Sequence, residues 1–285
     1  MEELITLVKN EFDNIKQRML ELVPSMDILG NDWENLQKKM VKRLESAKSV
    51  EDIVKSGIFI DNVLLCFCSN LVVKKNRKQF IDAFNKAVTL AQSHAGSQFE
   101  KKVSDLLKSI YREGDESISV SNSAYKNYLH ELLVFNYLSN CKHVEVIDIE
   151  RKIENGNSVD FVVRKDNKDI GFEVVTLQGI DPSKQDDDNT MRDFIYDRLK
   201  NKYQCKTKGL DEIKNLDQLY IIPVIEYHNG MENFKMDYTF KEHPFFYPIM
   251  TPWLHQVEGE WCMELCSMKD YLETIRKKGF NNSNF

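Results

Sequence analysis

The chain of 285 residues is 42% hydrophobic and 29% charged, with six cysteines and a net charge of −6. That composition describes one large or two ordinary globular domains. It excludes a disulfide framework and a nucleic-acid binder that works by bulk positive charge. The longest uncharged apolar run, Asn62 to Val73, falls short of the roughly 20 residues of a membrane span, so no membrane partner is expected.

Charge is uneven along the chain. Residues 1–112 carry 18 Lys and Arg against 15 Asp and Glu, and residues 113–285 carry 21 against 30, so the two parts stand at +3 and −9. That leaves room for a local basic groove. The apolar residues after Glu2 and Glu3 are periodic rather than continuous, which predicts no secretory leader. With so few cysteines, a reducing, cytoplasmic setting is expected.

The first elements are helical. Ile5, Val8, Phe12, Ile15, Met19 and Leu22 recur at spacings of three and four, an apolar seam that ends before Pro24. Such a seam predicts a homo-oligomer or a protein partner engaged through the N-terminal helices. A second helix starts near Asn31 and carries Trp33, Leu36, Met40, Leu44 and Ala47. Ser49 with Asp52 is a capping-box-like start for a third, apolar on most sides and running towards Val73. Phe80, Phe84, Ala87, Val88 and Ala91 predict a fourth, and Phe99, Val103, Leu106, Leu107 and Ile110 a fifth. A helical bundle over 1–115 follows. The Ser-rich stretch 113–123 reads as a boundary, and 120–285 as a second domain of helices and strands.

In that second part the pattern predicts a helix (Tyr125–Asn140), a strand (Val144–Ile149), a hairpin, an acidic loop, a helix (Met191–Tyr203) capped by Asp188 or Asn189, and an apolar strand (Leu219–Tyr227). Peripheral strands and a last helix, Met268 to Lys278, complete it. The hairpin is two apolar runs, Val159–Val163 and Ile170–Leu177, around a polar turn with Asp166, Asn167 and Asp169. Each run holds one carboxylate, Asp160 and Glu173. Glu173 projects among aliphatic neighbours, where an ionised carboxylate needs a cation, a proton or a hydrogen-bonded partner. Two carboxylates on adjacent strands share a proton or bind a divalent cation. Supplemented by water, phosphate and a backbone carbonyl such as that of Val174, they suit Mg2+ or Mn2+. The bland alternative for Asp160 is an ion pair with Arg164.

The order α-β-β-β-α-β, with Asp160 on the second strand, Glu173 on the third and Glu131 on the preceding helix, resembles the PD-(D/E)xK nuclease superfamily over residues 125–227. The resemblance implies a restriction-endonuclease-like fold with a mixed central sheet. It also implies that Asp160 and Glu173 hold one or two metal ions, assisted by Glu131, for hydrolysis of a phosphodiester. The motif departs from the family at two places: Val175 stands where the lysine belongs, and Val159 where a proline precedes the Asp. Lys202 looks like a lysine that has migrated to the following helix, seven residues after Ile195 and three after Leu199, with Arg198 beside it. Its alternative role is to snorkel from the last turn and complement the helix dipole. Lys184 in the acidic loop is a second candidate, and Glu131 is otherwise an ordinary helix Glu.

Other signals are weaker. His130 reads as structural or solvent-facing. Cys66, Cys68, Cys262 and Cys266 lack a second ligand pair and read as core thiols. The run Lys74–Lys78 reads as a solvated loop. Phe245, Phe246, Tyr247 and Trp253, set among Pro244, Pro248 and Pro252, read as a wall over the sheet. The expected activity is a Mg2+- or Mn2+-dependent nuclease acting on DNA or RNA. The alternatives are an inactive nuclease-like binding or scaffold protein, or a helix-mediated interaction protein.

Overall fold

The computed structural model of the chain describes residues 2–49, 63, 76–112, 124–154, 156–177, 188–208, 213–226 and 245–278. The chain divides into two compact units, the first comprising Met1–Leu132 and Leu254–Met263, the second Leu133–Trp253 and Glu264–Ser283. The division falls inside a helix at Leu132 rather than in the Ser-rich stretch 113–123, which lies outside the described residues.

Up to Leu132 the first unit is helical. Helix α1 (Glu2–Asn10) and helix α2 (Phe12–Leu22) share the expected seam, but the chain leaves helical geometry at Glu11, with φ −124 and ψ 32. The single helix read from the spacing is therefore two. Val8, Ile15 and Met19 are buried within the protein. A 3-10 segment, Pro24–Asp32, begins at Pro24 and buries Met26 and Leu29. Helix α3 (Trp33–Ser46) buries Trp33, Leu36, Met40 and Leu44 on one side, the periodicity that defines an amphipathic helix. Helix α4 (Asn76–Arg112) is broken at Gly96, whose φ of 50 and ψ of −153 lie outside helical geometry. A positive φ is one that glycine tolerates without a Cβ penalty. The two arms are the fourth and fifth helices read from the sequence. Of the third, only Val63 is described, and it is buried.

The second unit carries most of the strand residues, the hairpin over Leu254–Met263 belonging to the first. Helix α5 (Tyr125–Asn140) leads to β1 (Glu145–Lys152), β2 (Ser158–Lys165), β3 (Lys168–Leu177), helix α6 (Asp188–Thr207) and β4 (Gln218–Ile225). The chain then adds β5 (Met250–Val257), β6 (Glu260–Ser267) and helix α7 (Met268–Lys278). The described residues thus form seven α-helices and a six-stranded mixed sheet in the order β1-β2-β3-β4-β5-β6. The pairs β1–β2 and β2–β3 are antiparallel, while β3–β4 and β4–β5 are parallel. Both two-residue turns, Asp166-Asn167 and Glu258-Gly259, have positive φ at each residue. That is the type I′ geometry that matches strand twist.

Pro223 sits inside β4, opposite Val175 of β3. Towards β5 the strand bonds through Ile221, to Phe245 and Tyr247, and then through the Val224–Met250 pair. Pro223, two residues on from Ile221, faces the same edge, so its missing N–H falls on the β5 side, in the gap between those two links. One face of the sheet packs against α6 and α7, through Leu177, Ile195, Leu199, Ile225, Met268 and Leu272. On the opposite face Phe135 of α5 stacks on Phe161 of β2 at 6.2 Å.

Candidate functional site

The site forms where β2 and β3 part. Their pairing runs from Lys165–Lys168 to Phe161–Phe172 and ends there. One further step in the same register sets Asp160 opposite Glu173, on the sheet face that packs against α6. Instead of a ladder bond, the Asp160 Oδ2 accepts the N–H of Val174 at 2.7 Å. The N–H and C=O of a strand residue point to the same edge, so the Val174 carbonyl also faces this gap.

Glu173 is buried, its side chain 2% exposed, and meets two ammonium groups. Lys202 Nζ lies 2.8 Å from Oε1 and Lys206 Nζ 2.8 Å from Oε2. The second contact is an ion pair without hydrogen-bond geometry, because Oε2 is buried with no hydrogen-bond partner. Lys206 Nζ donates instead to the Ser158 carbonyl at 2.5 Å. Both lysines lie on α6 one turn apart, beyond Ile195 and Leu199, which anchor the helix in the core.

The end of α6 is fixed to the start of β2. Asn157 donates its side-chain N–H groups to the carbonyls of Cys205 and Lys206 at 2.9 and 3.3 Å, satisfying two of the helix's last acceptors. Lys208, at φ 47, closes the helix with its N–H on the Gln204 carbonyl at 2.7 Å, the left-handed termination common at helix ends. These ties fix where the two ammonium groups reach.

Asp160 keeps some contact with solvent, although protein atoms crowd its carboxylate. Burial first, and then the negative charge of Glu173, push it up to about 7, against the pull of the Val174 N–H, Lys206 and Lys202. Near neutral pH Asp160 therefore stands close to its midpoint, and a small change in surroundings decides whether it carries a proton.

Arg164 does not pair with Asp160. Its guanidinium meets Asp169 at 2.9 Å across the turn, and Arg151 meets Asp169 and Asp148 at 3.0 and 3.1 Å. Arg198 is exposed, with its guanidinium 5.0 Å from the Phe194 ring centroid. Glu131 is half-buried on α5 and belongs to the first unit. The second unit brings together Asp160, Glu173, Lys202 and Lys206. His130 is buried, not solvent-facing. Cys262 is a buried free thiol and Cys266 a half-buried one. Of the aromatics, Phe246, Tyr247 and Trp253 pack edge-on against Tyr196, Phe172 and Tyr271. Phe245 is exposed and stacks on Tyr203 at 4.9 Å. Lys184, Cys66, Cys68, Lys74, Lys75 and Pro244 lie outside the described residues.

Lys206 is the residue that sequence reasoning missed. Its signal was present: it lies four residues after Lys202 and seven after Leu199, on the core-facing side of the same helix.

Two carboxylates and a backbone carbonyl are a hard-oxygen donor set, and the buried Glu173 Oε2 has no hydrogen-bond donor. Both features fit Mg2+ or Mn2+. Among the described residues no group of three or more His, Cys, Asp and Glu side chains gathers, so the rest of a coordination shell would be water or substrate oxygen. Comparison with protein-family models, with curated proteins and with solved structures finds no match for this chain.

Proposed function

We propose that the protein is a metal-dependent nuclease that hydrolyses phosphodiester bonds in DNA or RNA, on a restriction-endonuclease-like domain of the PD-(D/E)xK kind. The observation that carries this reading is Lys202 Nζ at 2.8 Å from the buried Glu173 carboxylate. It supplies, from the following helix, the cation missing at Val175. The element order α5-β1-β2-β3-α6-β4 supports it. Asp160, Glu173 and the Val174 carbonyl would hold Mg2+ or Mn2+, which when bound polarises a phosphoryl oxygen and acidifies water. Lys202, with 40% of its side chain exposed, reaches solvent from the site and would stabilise charge growing on phosphorus. Lys206 holds Glu173 in place. Asp160, poised near 7, gives up its proton readily when a cation arrives.

The test is incubation with Mg2+ or Mn2+ and single- and double-stranded DNA and RNA. Cleavage is expected to fall at least about a hundredfold in Glu173→Ala and Lys202→Ala, the scale for losing a general acid–base or charge-stabilising group. Cleavage unaffected by Glu173→Ala would overturn the assignment. One observation favours an inactive binding module instead: each Glu173 oxygen already meets an ammonium group. Calorimetric titration with Mn2+ separates the two, since an inactive relative would show no binding that depends on Asp160 and Glu173.

A further inference from the structure

Lys206 sits among oxygens in the way a bound cation does. Its Nζ lies 2.8 Å from Glu173 Oε2 and donates to the Ser158 carbonyl at 2.5 Å. Only 16% of its side chain is exposed. Towards Oε2 the contact is ionic rather than directed, because that oxygen is buried with no hydrogen-bond partner. A buried carboxylate oxygen and a backbone carbonyl thus meet at one compact positive charge. Carboxylate and carbonyl oxygens are also the donors that a hard divalent cation takes.

The ammonium is fixed in that place from both sides. Ile195 and Leu199 anchor α6 in the core, and Asn157, next to Ser158, binds the carbonyls of Cys205 and Lys206. The backbone that carries Nζ and the strand that carries the Ser158 carbonyl are therefore tied together. Swinging the side chain out would leave that carbonyl and the Glu173 oxygen with less compensation, which is costly for buried groups. A Mg2+ ion on Oε2 would stand about 2.0–2.1 Å from it, within the space that Nζ now holds. Ion and ammonium exclude each other there. Lys202 on Oε1 is different, since 40% of its side chain is exposed and water can replace it.

Charge points the same way. Asp160 and Glu173 bring at most two negative charges against the two ammonium groups of Lys202 and Lys206. One divalent ion leaves this cluster positive, which a substrate phosphate offsets. A second would set two more like charges beside a buried ammonium, where repulsion is poorly screened. Among the described residues no third acidic or imidazole side chain gathers to receive it.

We infer that the Lys206 ammonium fills one of the cation positions of the Glu173 carboxylate, so that the site takes one divalent ion where its oxygens would accept two. The inference rests on the metal-dependent reading of the site. It makes Lys206 a positioning residue, acting through Glu173 and the ion count.

The full chain is titrated with Mn2+ alone, and bound ions per chain are counted by calorimetry and electron paramagnetic resonance. The parent is expected to bind one ion that is lost in Glu173→Ala. Lys206→Met removes the charge at similar length and should bind two. Their spectrum should broaden through dipolar coupling, as for ions about 3.5–4 Å apart. Mn2+ should also recover the melting temperature that this variant loses. Lys206→Arg restores the cation and a count of one, and Lys202→Met keeps one. Lys206→Gln, which retains a donor for the Ser158 carbonyl, replaces Lys206→Met if the latter does not fold. Two ions in the parent, or one ion in both the parent and the neutral Lys206 variant, would overturn the inference and leave the nuclease reading standing. An ion bound only in the neutral variant upholds the inference and removes the nuclease reading of the parent. No ion in either removes both.

Discussion

Glu173 is held by two lysines that differ in burial, and the difference separates their roles. Lys206 is 16% exposed and Lys202 40%. Lys206→Ala leaves a buried carboxylate oxygen with less compensation and also frees the Ser158 carbonyl, so it should destabilise the fold by about 1–3 kcal/mol. Lys202→Ala loses a partly solvated partner and should change stability by less than about 1 kcal/mol, while abolishing cleavage. Urea melts of the two variants beside a cleavage assay check the pair of outcomes. Asp160 gives a pH signature. The folded protein keeps its proton up to about pH 7, whereas the unfolded chain releases it near the ordinary carboxylate value of about 3.9. The folded state therefore binds the extra proton in that window, and its stability falls as pH rises from about 4 to about 7. Asp160→Asn should flatten this slope and melt higher than the parent above pH 7, with the difference vanishing near pH 4.

Elements respond to local chemistry that is easier to read. Ser267 accepts the Asp270 N–H at 3.1 Å and donates to the Asp270 carboxylate at 2.6 Å, a reciprocal cap on α7. Ser267→Ala should cost about 1 kcal/mol in a thermal or urea melt. In β3, a Cβ on Gly171 would meet Leu216 Cδ1 at 2.7 Å and Leu219 Cδ1 at 3.3 Å. Those are flexible side-chain ends, so Gly171→Ala is tolerated better than Gly171→Val, which should lose about 1–3 kcal/mol through overpacking. The hairpin and α5 were legible because alternation, turn residues and helical spacing all agreed there. The break at Glu11 was not, because the apolar seam runs straight through it and only tertiary packing decides where a helix stops. Lys206 was hidden for a related reason: a lysine near a helix end reads as solvated until the strand beneath it is known.

At the scale of the molecule, the sequence conveyed the mixed α and β architecture and the two strands that carry Asp160 and Glu173, while the register that sets the two opposite each other came from the structure. It did not convey the boundary between the compact units. The Ser-rich stretch looked like a linker, yet the division falls within the uninterrupted helix α5, which has no compositional mark there. Metal binding offers a test on the whole fold. Mn2+ at a hundredfold excess over its dissociation constant should stabilise the protein by about 2.7 kcal/mol. The effect should disappear with chelator and in Asp160→Ala or Glu173→Ala, as read by thermal unfolding. It should also strengthen as pH rises towards 7, because the cation must displace the Asp160 proton.

The bond between Asp160 and the Val174 N–H has one more consequence. That amide is anchored by a titrating side chain rather than by a neighbouring strand, so its proton resonance should shift with the ionisation of Asp160. A single backbone signal, followed by nuclear magnetic resonance, becomes an internal indicator for the site, and would register a cation or a phosphate arriving beside it without any turnover.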